Sequence, residues 1–194
     1  RKEVWFNTNY SRTMIARASD IEKRILDVKY GRVKEGLKMD IPEIDEYIRF
    51  KHSSFNLLIG HANVGKTTVM SYLFTVWAIK HKLKFLIWSS ENTPQSIVRK
   101  IIEFKMGKAI QIATDTEINK AVKWCDVHFK VIDVEDLITY KELLKQASEI
   151  KDAWDYDCFL VDPYNSLKKD AQLLRQVGGH EYDYQVASEF RLFA

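Results

Sequence analysis

The chain has 194 residues, room for one α/β domain and an arm, and its 46% hydrophobic and 29% charged residues are an ordinary globular balance. A formal net charge of only +3 excludes the bulk basic signature of a tight, non-specific nucleic-acid binder, so any such contact must be local or shared among assembled copies. No apolar run approaches the ~18–20 residues of a membrane span, the opening RKEVWFNTNY has no signal-peptide core, and the five histidines show no metal-ligand spacing. Cys125 and Cys158 stand alone among apolar residues, as reduced core thiols of a cytoplasmic protein. The chain starts at Arg1 and stops at FRLFA in what reads as the middle of a helix. We therefore expect a piece of something longer.

The first 40 residues are charged and poor in long apolar runs, and read as an arm or linker. Within them Ser19 to Val28 predicts a short amphipathic helix, with Ser19 or Asp20 as N-cap, Ile21, Ile25 and Val28 on one face and Gly31 as the stop. Such a helix packs on its own domain or on a neighbour. Residues 41–50, IPEIDEYIRF, read as a lead-in bracing a first strand, FNLLI, at Phe55 to Ile59. A glycine-rich loop and a helix opening TTVMSYLFTVWAI follow. The run KFLIWSS, Lys84 to Ser90, predicts a second strand, nearly all apolar as buried parallel strands are. Thr93-Pro94 starts a helix that Gly107 ends. Thr114 with Glu117, and Thr139 with Glu142, are capping boxes for two further helices; the first reaches about Trp124 and the second buries Leu143, Leu144, Ala147 and Ile150. Between them Val127 to Asp133 reads as the third strand. Tyr156 to Asp162 is the fourth, followed by a polar stretch and a last helix from about Glu181. This alternation predicts an α/β fold with a mainly parallel sheet and helices on both faces.

The octapeptide GHANVGKT, Gly60 to Thr67, carries the chemistry. A strand, a glycine-rich loop and a helix in that order are the context of a phosphate-binding loop. Gly60 and Gly65 allow torsions that let successive N–H groups of His61, Ala62, Asn63 and Val64 turn inward around a polyphosphate. Lys66 brings a positive charge to the β- and γ-phosphates, Thr67 offers a hydroxyl to Mg²⁺, and Thr68 continues into the helix whose positive dipole end faces the anion. His61 reads as a tolerated variable position in the loop. Asp162 ends an apolar strand, where a carboxylate can serve the Mg²⁺ shell. Glu91, after the second strand, is either a base that orients an attacking water or a helix-entry glutamate held by the dipole. Trp88, Trp124 and Trp154 read as packing residues.

GHANVGKTT, WSSENT, FLVDPYNSL and HEYDYQVASEFRLFA, in that order, resemble the RecA-type ATPase domain of DnaB-family replicative helicases, in the style of phage helicases and helicase-primases. The likeness runs from about Gly36 to the end. It implies a RecA-like P-loop NTPase over residues 41–194, truncated at its C-terminus, that binds ATP and Mg²⁺. It implies Glu91 as the catalytic base and Thr67 and Asp162 as the metal residues. It further implies a homohexameric ring with ATP at the subunit interfaces, translocation on single-stranded DNA, and a primase partner or fused primase, in the cytoplasm of the host cell if the protein is viral. The arm occupies the place of the family's linker. The family's later sensor strand and downstream basic cluster have no counterpart in this sequence, so this chain alone is expected to bind nucleotide and hydrolyse it poorly. Lys168, Lys169 and Arg175 are either channel-facing loop residues or part of a solvated polar loop. A RecA- or RadA-like recombinase shares the same motifs, a P-loop small-molecule kinase would need a basic lid, and a passive nucleotide-binding module would need no Glu91. A GTPase is disfavoured by the missing guanine-reading Asn-Lys-x-Asp segment. Translocation polarity, ring size, loader and host are not legible.

Overall fold

The computed structural model describes residues 18–30, 36–133 and 136–194. The chain divides into two compact units, residues 1–35 and 36–194. In the first, α1 (Ala18–Lys29) is the expected amphipathic helix. Ser19 and Asp20 lie inside its first turn rather than capping it, positions where Ser and Asp are also tolerated. Ile21, Ile25, Leu26 and Val28 are exposed. The stop expected at Gly31 lies outside the described residues, as do arm residues 1–17.

In the second unit, a short helix α2 (Pro42–Asp45) is built around the buried Asp45, whose carboxylate accepts from Met39 N at 2.6 Å and Ile41 N at 3.0 Å. This replaces the simple brace expected of residues 41–50. Phe50 pairs with Leu37 across an antiparallel bridge and packs edge-on against Trp77 and Phe85. The helix α3 (Lys66–His81) carries the phosphate-loop motif at its start and buries Leu73, Phe74, Trp77 and Ala78. Its polar core residues are satisfied within the helix: Ser71 Oγ donates to Thr67 O and Thr75 Oγ1 to Ser71 O, both at 2.7 Å.

Strand β1 (Phe85–Ser89) is central, flanked by β2 (Phe129–Ile132) and β3 (Cys158–Asp162), all parallel, so the order among the described residues is β2-β1-β3. The helices α4 (Pro94–Met106) and α5 (Asp115–His128) connect β1 to β2, and α6 (Tyr140–Ala153) connects β2 to β3. Alternation along β1 sorts the core. Phe85 and Ile87 face one cluster with α3, α4 and α5, while Leu86 and Trp88 face a second with α6 and the last helix. Helices therefore cover both faces of the sheet. Phe85 is fully buried, stacked between Phe74 at 4.3 Å and Phe129 at 5.4 Å.

The helix signals act as read. Thr93 caps α4, with Ser96 N donating to its hydroxyl, and Gly107 ends α4 at φ +69°. Both capping boxes form. Trp88 is buried, and Trp124 packs on Phe129.

Four expectations are corrected. Phe55 to Ile59 is not a strand in the sheet: it makes no ladder bonds and is exposed, Ile59 to 82%. Pairing along one edge leaves a second row of backbone groups unpaired, and nothing described covers these side chains, so ordering them is not offset. Helix α5 runs on to His128 and turns directly into β2 at Phe129, because burial of Cys125 and His128 extends it; His128 Nδ1 lies 2.9 Å from Leu83 O. The polar stretch after β3 contains a helix, α7 (Ala171–Val177), which Asp170 caps by accepting from Gln172 N and Leu173 N. The last helix, α8 (Gly179–Phe193), starts two residues before Glu181. Among the described residues no helix is long and apolar enough to cross a membrane.

Candidate phosphate-binding site

Residues 60–65 form the turn leading into α3. Asn63 and Gly65 adopt positive φ, +61° and +88°, on either side of Val64. For Gly65 the left-handed torsion carries no Cβ penalty, and it is the N-cap of α3. No side chain caps that end, so the first-turn N–H groups of Lys66, Thr67 and Thr68 point outward with the helix dipole behind them. A Cβ on Gly60 would meet Val64 Cγ2 at 3.3 Å and Lys66 Cδ at 3.4 Å, so the loop's start sits close to the lysine stem.

The Lys66 ammonium donates to Gly60 O at 2.9 Å and His61 O at 2.7 Å. It is folded back on the loop's own carbonyls. An ammonium so held has two of its three donors satisfied within the loop itself. His61 itself is exposed and contributes only its carbonyl.

A side-chain bond joins the start of α3 to the sheet. Thr67 Oγ1 donates to Asp162 Oδ2 at 2.6 Å, across 95 residues of sequence. Asp162 closes β3, opposite Ser89 in register, and its carbonyl accepts from Ser90 N at 3.1 Å. A hydroxyl and a half-buried carboxylate side by side are hard oxygen donors of the kind Mg²⁺ takes, with its remaining positions left to water and phosphate. These residues fit the ion.

Glu91 lies one residue beyond Ser90, in a turn that Asn92 N stabilises by donating to Ser89 Oγ at 3.1 Å. The cap of α4 is Thr93, so Glu91 stands outside that helix's first turn and its dipole reading weakens. Its side chain is exposed and makes no hydrogen bond or ion pair among the described residues. The strand ends thus bring Glu91 and Asp162 to the carboxyl end of the sheet, beside the neighbouring strands β1 and β3. Crevices at such points are where open α/β sheets bind ligands.

Beyond Asp162 the backbone is held back onto α8. Tyr164 donates to Asp183 at 2.9 Å; burial, and then that bond, push the Tyr164 hydroxyl pKa up, and Asp170 N donates to Tyr182 OH at 3.0 Å. Lys169 sits over the Tyr182 ring and pairs with Asp183 at 3.4 Å, whereas Lys168 and Arg175 are exposed. The two cysteines are free thiols, both pushed up to about 12 by burial.

One contact at the site has no signature in the sequence. Lys100, in the second turn of α4, donates from Nζ to Thr68 Oγ1 at 3.1 Å. Helical spacing alone says nothing of which α4 residue reaches α3. The sequence matches no protein-family model, and no curated protein matches it.

Proposed function

We propose that this chain is the nucleotide-binding core of an ATP-hydrolysing motor with a RecA-like fold, working in the manner of DnaB-family replicative helicases. One observation carries the reading: the phosphate-loop threonine and the strand-end aspartate, Thr67 and Asp162, stand in hydrogen-bond contact. The four ordered motifs supply the rest.

The residues then divide the work. Loop and first-turn N–H groups bind the phosphates, and Lys66 releases Gly60 O and His61 O to bond the β- and γ-oxygens. Thr67 and Asp162 would hold Mg²⁺, which when bound would offset charge on those oxygens. Glu91 takes a proton from the attacking water, whose oxygen bonds to γ-phosphorus. The bond from γ-phosphorus to the bridging oxygen breaks, and its electron pair leaves with ADP. Single-stranded DNA, a homohexamer with ATP between subunits, and a primase associated with it belong to the same proposal.

The test is Glu91→Gln in the full-length protein. We expect Mg²⁺-ATP affinity within about threefold of wild type and hydrolysis reduced roughly 10²–10⁴-fold, with DNA unwinding lost. Unchanged hydrolysis, or phosphate transfer to a small-molecule acceptor, contradicts the motor. Filaments on DNA in electron micrographs, in place of closed rings, would indicate a recombinase.

A further inference from the structure

We infer that Lys100 is a second phosphate-site cation, which orients the Thr68 hydroxyl and adds its own charge to that of Lys66; this rests on the nucleotide-binding reading above. Lys100 Nζ donates to Thr68 Oγ1 at 3.1 Å, a contact between helices 32 residues apart in sequence. A threonine hydroxyl carries one donor and two acceptor positions. With an acceptor position taken by the ammonium, its proton is free to point away from Lys100, towards the open first turn of α3. Thr68 is therefore set as a donor beside N–H groups that no side chain caps.

Lys100 has no carboxylate partner among the described residues, and it spends one of its three N–H groups on a neutral hydroxyl. Glu103, a turn further along α4, is engaged elsewhere, accepting from Ile110 N at 3.1 Å. Lys66 also bonds only neutral carbonyls. Two ammonium groups thus border one helix start, with the carboxylate of Asp162 bonded to Thr67 beside them. A polyanion that accepts from the Thr68 hydroxyl lies one bond from Lys100, whose flexible stem can close on it directly. Because Thr68 follows Thr67 into the helix, away from the loop's mouth, Lys100 serves the phosphates common to di- and triphosphates rather than the terminal one.

The experiment is calorimetric titration of wild type, Lys100→Gln and Lys100→Arg with ADP and with a non-hydrolysable ATP analogue, at two salt concentrations. We expect Lys100→Gln to weaken both nucleotides alike, by roughly five- to tenfold at low salt and less at high salt, with Lys100→Arg restoring most of the loss. Thr68→Val, which removes the hydroxyl, should weaken binding and leave little further effect for Lys100→Gln added to it. Equal affinities for wild type and Lys100→Gln overturn the role of Lys100 while leaving the nucleotide site intact. So does a loss matched by lowered thermal stability and shared by Lys100→Arg. Absence of binding by wild type removes both.

Discussion

At the residue scale, the site is a set of polar groups satisfied by one another and able to exchange partners. Lys66 rests on two loop carbonyls and Thr67 on Asp162, so no buried side-chain polar atom among the described residues is orphaned before a ligand arrives. Asp162→Asn tests the metal role. The amide still accepts from Thr67 but lacks the charge that Mg²⁺ requires, so Mg²⁺-dependent nucleotide affinity should fall on the order of tenfold or more, while metal-free binding changes little. Equal losses with and without Mg²⁺ would assign Asp162 to the loop's architecture. The glycine spacing, the lysine and the two threonines were legible in the sequence because backbone torsion and ligand chemistry restrict those positions to few residue types. Lys100 was not, since its role depends on how two helices lie side by side.

At the element scale, helix signals were the most readable because they are local. Thr93-Pro94, Gly107 and the two capping boxes each satisfy backbone groups within three or four residues, so no knowledge of the remaining chain was needed. The Thr114–Glu117 box gives a pH prediction. Hydrogen bonding from Lys108, then from Thr114, lowers the Glu117 carboxyl to about 2 from an ordinary 4.5. A carboxyl whose folded pKa is depressed contributes stability fully above its unfolded value and loses it as pH falls towards the folded one. Comparing wild type with Glu117→Gln by denaturant titration, the wild-type advantage should be constant above about pH 4.5 and vanish as pH falls to about 2. An advantage that persists at pH 2 would contradict the charged cap. Strand limits and the extension of α5 to His128 were less readable, since burial of Cys125 and His128 sets them and burial is a property of the assembled core.

At the scale of the whole molecule, two apolar clusters on opposite faces of a parallel sheet hold the strand ends in register, and register places Ser89 beside Asp162. The alternation of apolar runs with capped helices made that layering legible. The state of Phe55 to Ile59 was not, because a strand signal states what a segment can do and not whether a neighbour is in place. Whether the loop from Gly60 to Thr68 grips a nucleoside triphosphate is read from calorimetry of wild type and Lys66→Ala with Mg²⁺ and a non-hydrolysable ATP analogue. Wild type should bind saturably, one to one, and Lys66→Ala more weakly on the order of a hundredfold; no heat from wild type with adenine or guanine nucleotides, or equal affinity in the two proteins, would leave the loop without a triphosphate to hold.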